Sequence, residues 1–67
     1  MIDIELNGQA SQVDAKSTVA DLLRLAKIES RFCAVELNLE IVPKDQYEVT
    51  QLADGDSIEV VTLVGGG

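Results

Sequence analysis

One stretch of this chain, and only one, repeats its apolar residues at helical spacing. Val19, Leu22, Leu23 and Ala26 fall at i, i+3, i+4 and i+7, one stripe of a helix with a single buried side. Thr18 stands before them as an N-cap, with Asp21 three positions on, where a capping box usually has Glu. Arg24 and Lys27 lie off the stripe near the C-terminal end, where cations suit the helix dipole. The spacing predicts a helix ending around Ile28 to Ser30. A lone helix must bury its stripe against something, and the rest of the chain offers only strands.

Ile2, Ile4 and Leu6 alternate with Asp3 and Glu5, the two-residue period of a half-buried strand. Asn7-Gly8 follows, the strongest short-range hairpin signal, because both residues tolerate positive φ. Its partner, Gln9 to Asp14, is polar apart from Ala10 and Val13 and reads as an edge strand. After the helix, Cys33, Val35 and Leu37 alternate with Phe32, Ala34 and Glu36 as a third strand. Asn38-Leu39 leads to the short strand Glu40-Ile41-Val42, stopped by Pro43. Lys44 to Leu52 reads as loop or one irregular turn. Ala53-Asp54-Gly55-Asp56 is a tight turn, and Ser57 to Val64 is the last strand. The order ββαβ(β)β predicts an α+β fold, a mixed β-sheet with one helix packed across one face. First and last strands side by side in the middle would make this the β-grasp, or ubiquitin-like, arrangement; periodicity by itself does not fix the strand order.

Sixty-seven residues make one domain. A chain this short buries only about 60% of its unfolded surface, which leaves no volume for a deep substrate pocket. The net charge of −7 repels nucleic acid and anionic lipid and favours a monomer. One cysteine, Cys33, permits no internal disulfide, and its alternation with Val35 and Leu37 places it in the core. There is no histidine, so no Ser-His or Cys-His nucleophile can be assembled. Asp3 and Glu5 stand where a signal peptide needs bases, and no run approaches the roughly 20 apolar residues of a membrane span. A cytoplasmic location is expected.

The chain ends Val61-Thr62-Leu63-Val64-Gly65-Gly66-Gly67. A glycine run is often only a frayed end or linker, but these glycines follow a strand directly and nothing follows them. The expected division is a β-grasp domain of residues 1–64 and a flexible glycine tail of residues 65–67. That ending, with Val35-Glu36-Leu37-Asn38, Glu40-Ile41-Val42-Pro43, Asp54-Gly55-Asp56 and the Asn7-Gly8 hairpin, resembles the ThiS family of thiamine-biosynthesis sulfur carriers over essentially the whole chain. Leu39 departs from the pattern, where that family usually has a small or polar turn residue.

The resemblance implies that Gly67 is the site of covalent modification, first as an acyl adenylate and then as a thiocarboxylate. An E1-like (ThiF-like) adenylyltransferase would supply the ATP and magnesium chemistry, with no cofactor bound by this chain. Sulfur would come from a cysteine desulfurase or another donor and pass to a ThiG-like thiazole synthase. Gly65 and Gly66 would thread the narrow approach to each active site. The chain would then be a carrier and not an enzyme. Sibling roles share the fold and tail: the small subunit of molybdopterin synthase (MoaD-like) or a carrier for tRNA thiolation. A different class is a ubiquitin-like modifier or binding module.

Charge is unevenly spread. Residues 1–31 hold five acids and four bases, whereas residues 32–67 hold seven acids and only Lys44 as a base. On the strand reading Asp3, Glu5, Glu36 and Glu59 lie on the open sheet face. If Val35, Leu37, Ile58 and Val60 face the helix, then Phe32, Ala34, Val61 and Leu63 face outward. An apolar patch rimmed by acids is a form of protein-docking surface. The alternatives are a solvated face, or a cover supplied by residues 43–56. Asp54-Gly55-Asp56 lacks the later glutamate of a calcium loop, and Asp45 and Glu48 read as surface acids.

Overall fold

The computed structural model describes residues 1–63. Asn7 and Gly8 take positive φ, 51° and 82°, and join β1 (Ile2–Leu6) to β2 (Gln9–Val13). Leu6 stands opposite Gln9, so the loop has two residues with the backbone signs of a type I′ turn. Asn38 and Leu39 repeat this turn between β3 (Cys33–Leu37) and β4 (Glu40–Val42), with φ of 51° and 71°. Leu39 is 88% exposed. It gains almost no burial in a conformation that costs a side-chain-bearing residue roughly 1–2 kcal/mol.

The five strands form one sheet in the order β2-β1-β5-β3-β4. The last strand, β5 (Ser57–Thr62), lies in the centre. It runs parallel to β1 and antiparallel to β3, which fixes the β-grasp arrangement among the strand orders that the element order allows. Its described extent stops at Thr62, short of the expected Val64, which lies outside the described residues. Phe32 is not part of β3. It closes a 3-10 turn, Ser30–Phe32, immediately before that strand.

The helix, α1, spans Val19–Leu25, ending earlier than the expected Ile28 to Ser30. Lys27 adopts φ 60°, its N–H donates to the Arg24 carbonyl at 3.1 Å, and the Ile28 N–H reaches the Leu23 carbonyl at 2.9 Å. Those two bonds are a Schellman motif with lysine in the position glycine usually takes. Ile28 then packs against the core, while Ala26 becomes the exposed C-cap and Ala20 joins the buried stripe. At the other end the capping box is complete. The Asp21 N–H donates to Thr18 Oγ1 at 3.2 Å, and the Thr18 N–H donates to Asp21 Oδ2 at 3.0 Å.

Residues 43–56 hold that same end. The Val19 N–H donates to the Thr50 carbonyl and the Ala20 N–H to the Tyr47 carbonyl, at 3.0 and 2.9 Å. First-turn donors that a helix cannot satisfy internally are thus met by the loop. Tyr47 and Leu52, read from sequence only as part of an irregular segment, are buried beside Val19, Leu23, Cys33, Val35 and Ile58. The core therefore lies on one side of the sheet, under α1 and this loop. No helix among the described residues is long and apolar enough to cross a membrane.

Candidate functional site

Alternation along β5 divides its side chains between two faces. Ile58 and Val60 are buried in the core, whereas Glu59 and Val61 are exposed. On β3, Cys33 and Val35 are buried, Ala34 is exposed and Glu36 is half-buried. Register sets Glu36 opposite Glu59 and Ala34 opposite Val61. The Leu63 N–H donates to the Phe32 carbonyl at 2.6 Å, which extends the pairing one rung and sets Leu63 beside Phe32. Phe32 and Leu63 are each 50% exposed and Val61 is 59% exposed. The expected outward set is therefore together on the open face. Residues 43–56 do not cover it, because their buried side chains Tyr47 and Leu52 pack into the core.

Two features of this face escape sequence reading. The Arg31 guanidinium lies 4.9 Å from the centre of the Phe32 ring, a cation–π contact. The patch thus has a cation at one margin as well as acids at the other. Within the sheet, Glu36 and Glu59 meet as directly opposed like charges, an arrangement that weakens a strand pair. The ion pairs among the described residues involve none of the strand acids: Arg24 pairs with Asp21 at 2.8 Å and Glu48 at 2.6 Å, and Arg31 with Glu29 at 3.0 Å. The Glu48 bond holds the Arg24 guanidinium above its ordinary pKa, and the Thr18 N–H holds the Asp21 carboxyl below its own. Asp3, Glu5, Glu36 and Glu59 take part in none of these pairs, so their field is uncompensated at close range. Such a surface speeds encounter with a cationic partner.

The remaining polar candidates are structural. Cys33 is fully buried, with its thiol 3.6 Å from the Ser30 carbonyl. Asp56 accepts from the Ala53 N–H at 2.7 Å and from Asn38 Nδ2 at 3.0 Å, and Asp54 accepts from the Asp3 N–H at 2.8 Å. Their carboxylates stitch the Gly55 turn to its neighbours. Among the described residues no group of His, Cys, Asp or Glu is arranged to hold a metal. Gly65, Gly66 and Gly67, and with them the boundary between residues 1–64 and 65–67, lie outside the described residues.

Comparison with known proteins bears on the whole chain. The model of the ThiS family matches residues 4–67. The chain is 45% identical over 62 residues to a thiazole synthase of Paramagnetospirillum magneticum, a match covering 92% of this chain and 19% of that protein. It is 38% identical over 65 residues to the sulfur carrier protein ThiS of Bacillus subtilis, covering 96% of this chain and 98% of that one. The crystal structure of the thiamine biosynthesis protein ThiS from Geobacter metallireducens superposes with a TM-score of 0.83 at 32% identity. That superposition covers 98% of this chain and 100% of the other. Matched in sequence by the family model over residues 4–67, and in fold by a ThiS crystal structure, this chain belongs to the ThiS family.

Proposed function

We propose that this chain is the sulfur carrier of thiamine biosynthesis, holding sulfur as a thiocarboxylate on Gly67 for delivery to a thiazole synthase. The observation that carries this reading is the extent of the family match, residues 4–67, which takes in the body and the three glycines together. A carboxylate is a poor acyl donor, so Gly67 must first be activated. An E1-like adenylyltransferase of the ThiF kind joins it to AMP at the expense of ATP, with magnesium on the phosphates. Sulfur at the sulfide level, drawn from a cysteine desulfurase's persulfide with a thiol as reductant or from another donor, then displaces AMP as the leaving group and leaves the thiocarboxylate. Catalysis belongs to the enzymes the carrier visits.

Glycine suits this role sterically. A side chain at Gly66 or Gly67 would crowd the carbonyl carbon, where tetrahedral intermediates form, and would thicken the thread entering each active site. Ordering such a tail costs about 1–2 kcal/mol per residue, which docking of the body must offset. The open face is built for that: Phe32, Ala34, Val61 and Leu63 supply apolar area, and Glu36 and Glu59 supply charge. The match to part of a thiazole synthase polypeptide supports the pairing of carrier and synthase, since linking two modules raises their effective concentration.

Intact-mass spectrometry tests the reading. Incubated with its activating enzyme, ATP and a sulfur source, the chain gains the mass of an oxygen-to-sulfur exchange, located at Gly67. An unchanged mass with a demonstrably active cognate enzyme overturns it.

A further inference from the structure

Main-chain groups along β5 point alternately to its two neighbours. The Ser57 carbonyl accepts from Asn38 and the Leu63 N–H donates to Phe32, so the odd-numbered residues are turned toward β3. The even-numbered residues are turned toward β1, and each has a defined occupant until the strand's end. The Asp56 carbonyl accepts from the Glu5 N–H at 2.9 Å and the Ile58 carbonyl from the Asn7 N–H at 2.8 Å. At the next rung β1 has already turned away, and the Asn7 side chain substitutes for it. Its Oδ1 accepts from the Val60 N–H at 2.7 Å and its Nδ2 donates to the Val60 carbonyl at 3.2 Å. One rung further is Thr62, exposed, with no strand of the described residues on that side, because the β1–β5 register ends at Ile58.

The sheet's outer edges are blunted differently. β4 has three residues and stops at Pro43, and β2 is largely polar. Among the described residues no strand pairs with the Thr62 edge, and the adjoining Val61 and Leu63 side chains are exposed and apolar. An extended segment pairing there would continue the line of β1, take the N–H and carbonyl of Thr62, and set its own side chains against the open-face patch.

We infer that the Thr62 edge of β5 is a strand-pairing site for an extended segment of the thiazole synthase that receives the carrier's terminus. The inference rests on the carrier reading and adds to it how the last strand is gripped. Pairing there is continuous with the apolar patch, so one partner surface engages both. It also fixes the main chain a few residues before Gly67, which aims the terminal carboxylate at the synthase's active site.

Amide exchange and one substitution test it, with the wild-type chain and its cognate thiazole synthase. In the free carrier the Thr62 amide exchanges fast while Val61 and Leu63, bonded to β3, are slow; in the complex Thr62 becomes slow as well. Thr62→Pro removes only the N–H turned away from β3, a position where a strand tolerates proline. It should melt near the wild-type temperature and bind the synthase roughly threefold to tenfold more weakly, the loss of one hydrogen bond. A complex in which Thr62 stays fast, or a folded Thr62→Pro chain that binds at full affinity, overturns the inference. So does Thr62 protection that appears in the carrier alone as its concentration rises, which would assign the edge to a second copy. Failure of the wild-type chain to bind the synthase at all overturns the carrier reading, and this inference with it.

Discussion

Asn38 holds Ser57 by both of its main-chain groups: the Asn38 N–H donates to the Ser57 carbonyl at 2.8 Å, and Asn38 Oδ1 accepts from the Ser57 N–H at 2.9 Å. The turn that joins β3 to β4 therefore also fastens the start of the central strand. Its weak point is Leu39 at φ 71°. Leu39→Gly should stabilise the fold by about 0.5–1 kcal/mol, the strain relieved less the extra chain entropy of glycine. Asn38→Ala should destabilise it by about 2 kcal/mol, from positive φ without compensation and lost bonds to Ser57 and Asp56. Urea denaturation of the two variants checks both signs.

Tyr47 makes stability depend on pH at the alkaline end. Burial pushes its phenol above the ordinary 10.0, and the neighbouring Cys33 thiol adds to the shift. A raised pKa means that the protonated form is favoured in the fold. The contribution is therefore fully present below about pH 10 and is lost as pH rises through the higher folded value. As the only tyrosine, in a chain without tryptophan, Tyr47 can be followed directly by tyrosinate absorbance. Ionisation should come late and together with unfolding, and Tyr47→Phe should flatten that part of the stability profile. Ionisation near pH 10 without loss of structure would contradict the burial argument.

The tail separates function from folding. Adding one alanine after Gly67, deleting Gly67, or making Gly66→Val should each leave the melting temperature nearly unchanged, since no core residue is altered. The added residue displaces the terminal carboxylate by roughly 3.3–3.6 Å in an extended chain. A displacement of about 1 Å already costs on the order of a hundredfold in a positioned reaction. Pyrophosphate exchange by the activating enzyme should fall at least that far in all three variants. Wild-type rates would make the glycines a passive end.

On the open face, Leu63→Asp and Phe32→Asp should keep the wild-type circular dichroism spectrum and weaken binding to the activating enzyme by about tenfold or more. Val60→Asp, one residue from the patch but inside the core, should fail to fold. Added salt should slow association, because the acids of residues 32–67 act at long range. A rate indifferent to salt would leave those acids with solubility as their only role.

What could be read from sequence was what local chemistry announces. Asn7-Gly8, the Thr18 and Asp21 cap, the Gly55 turn and the two-residue alternation of β1, β3 and β5 all carry their geometry in their residue types. The outward set of Phe32, Ala34, Val61 and Leu63 followed from that alternation once Ile58 and Val60 were placed inside. The misses share a cause, which is that tertiary contacts imposed local geometry against local preference. Lys27 ends the helix in a left-handed conformation better suited to glycine, and no residue signal marks it. Tyr47 and Leu52 lie in a stretch without periodicity, and only contact with α1 makes them core. The Asn7 side chain acting as a strand rung for Val60 depends on residues 53 positions apart.

The alternation of β5 makes spacing matter more there than identity. Ile58 and Val60 fill the interior while Glu59 and Val61 meet whatever docks outside, so the two sets are interleaved on a single thread. Exchanging one apolar residue for another disturbs one audience at a time. Inserting a single residue after Ile58 would do both kinds of damage at once, turning an acid inward and a core valine outward. It would also carry the terminus one position past the anchors at Asn38 and Asn7. A segment so written can drift in chemistry but hardly at all in length.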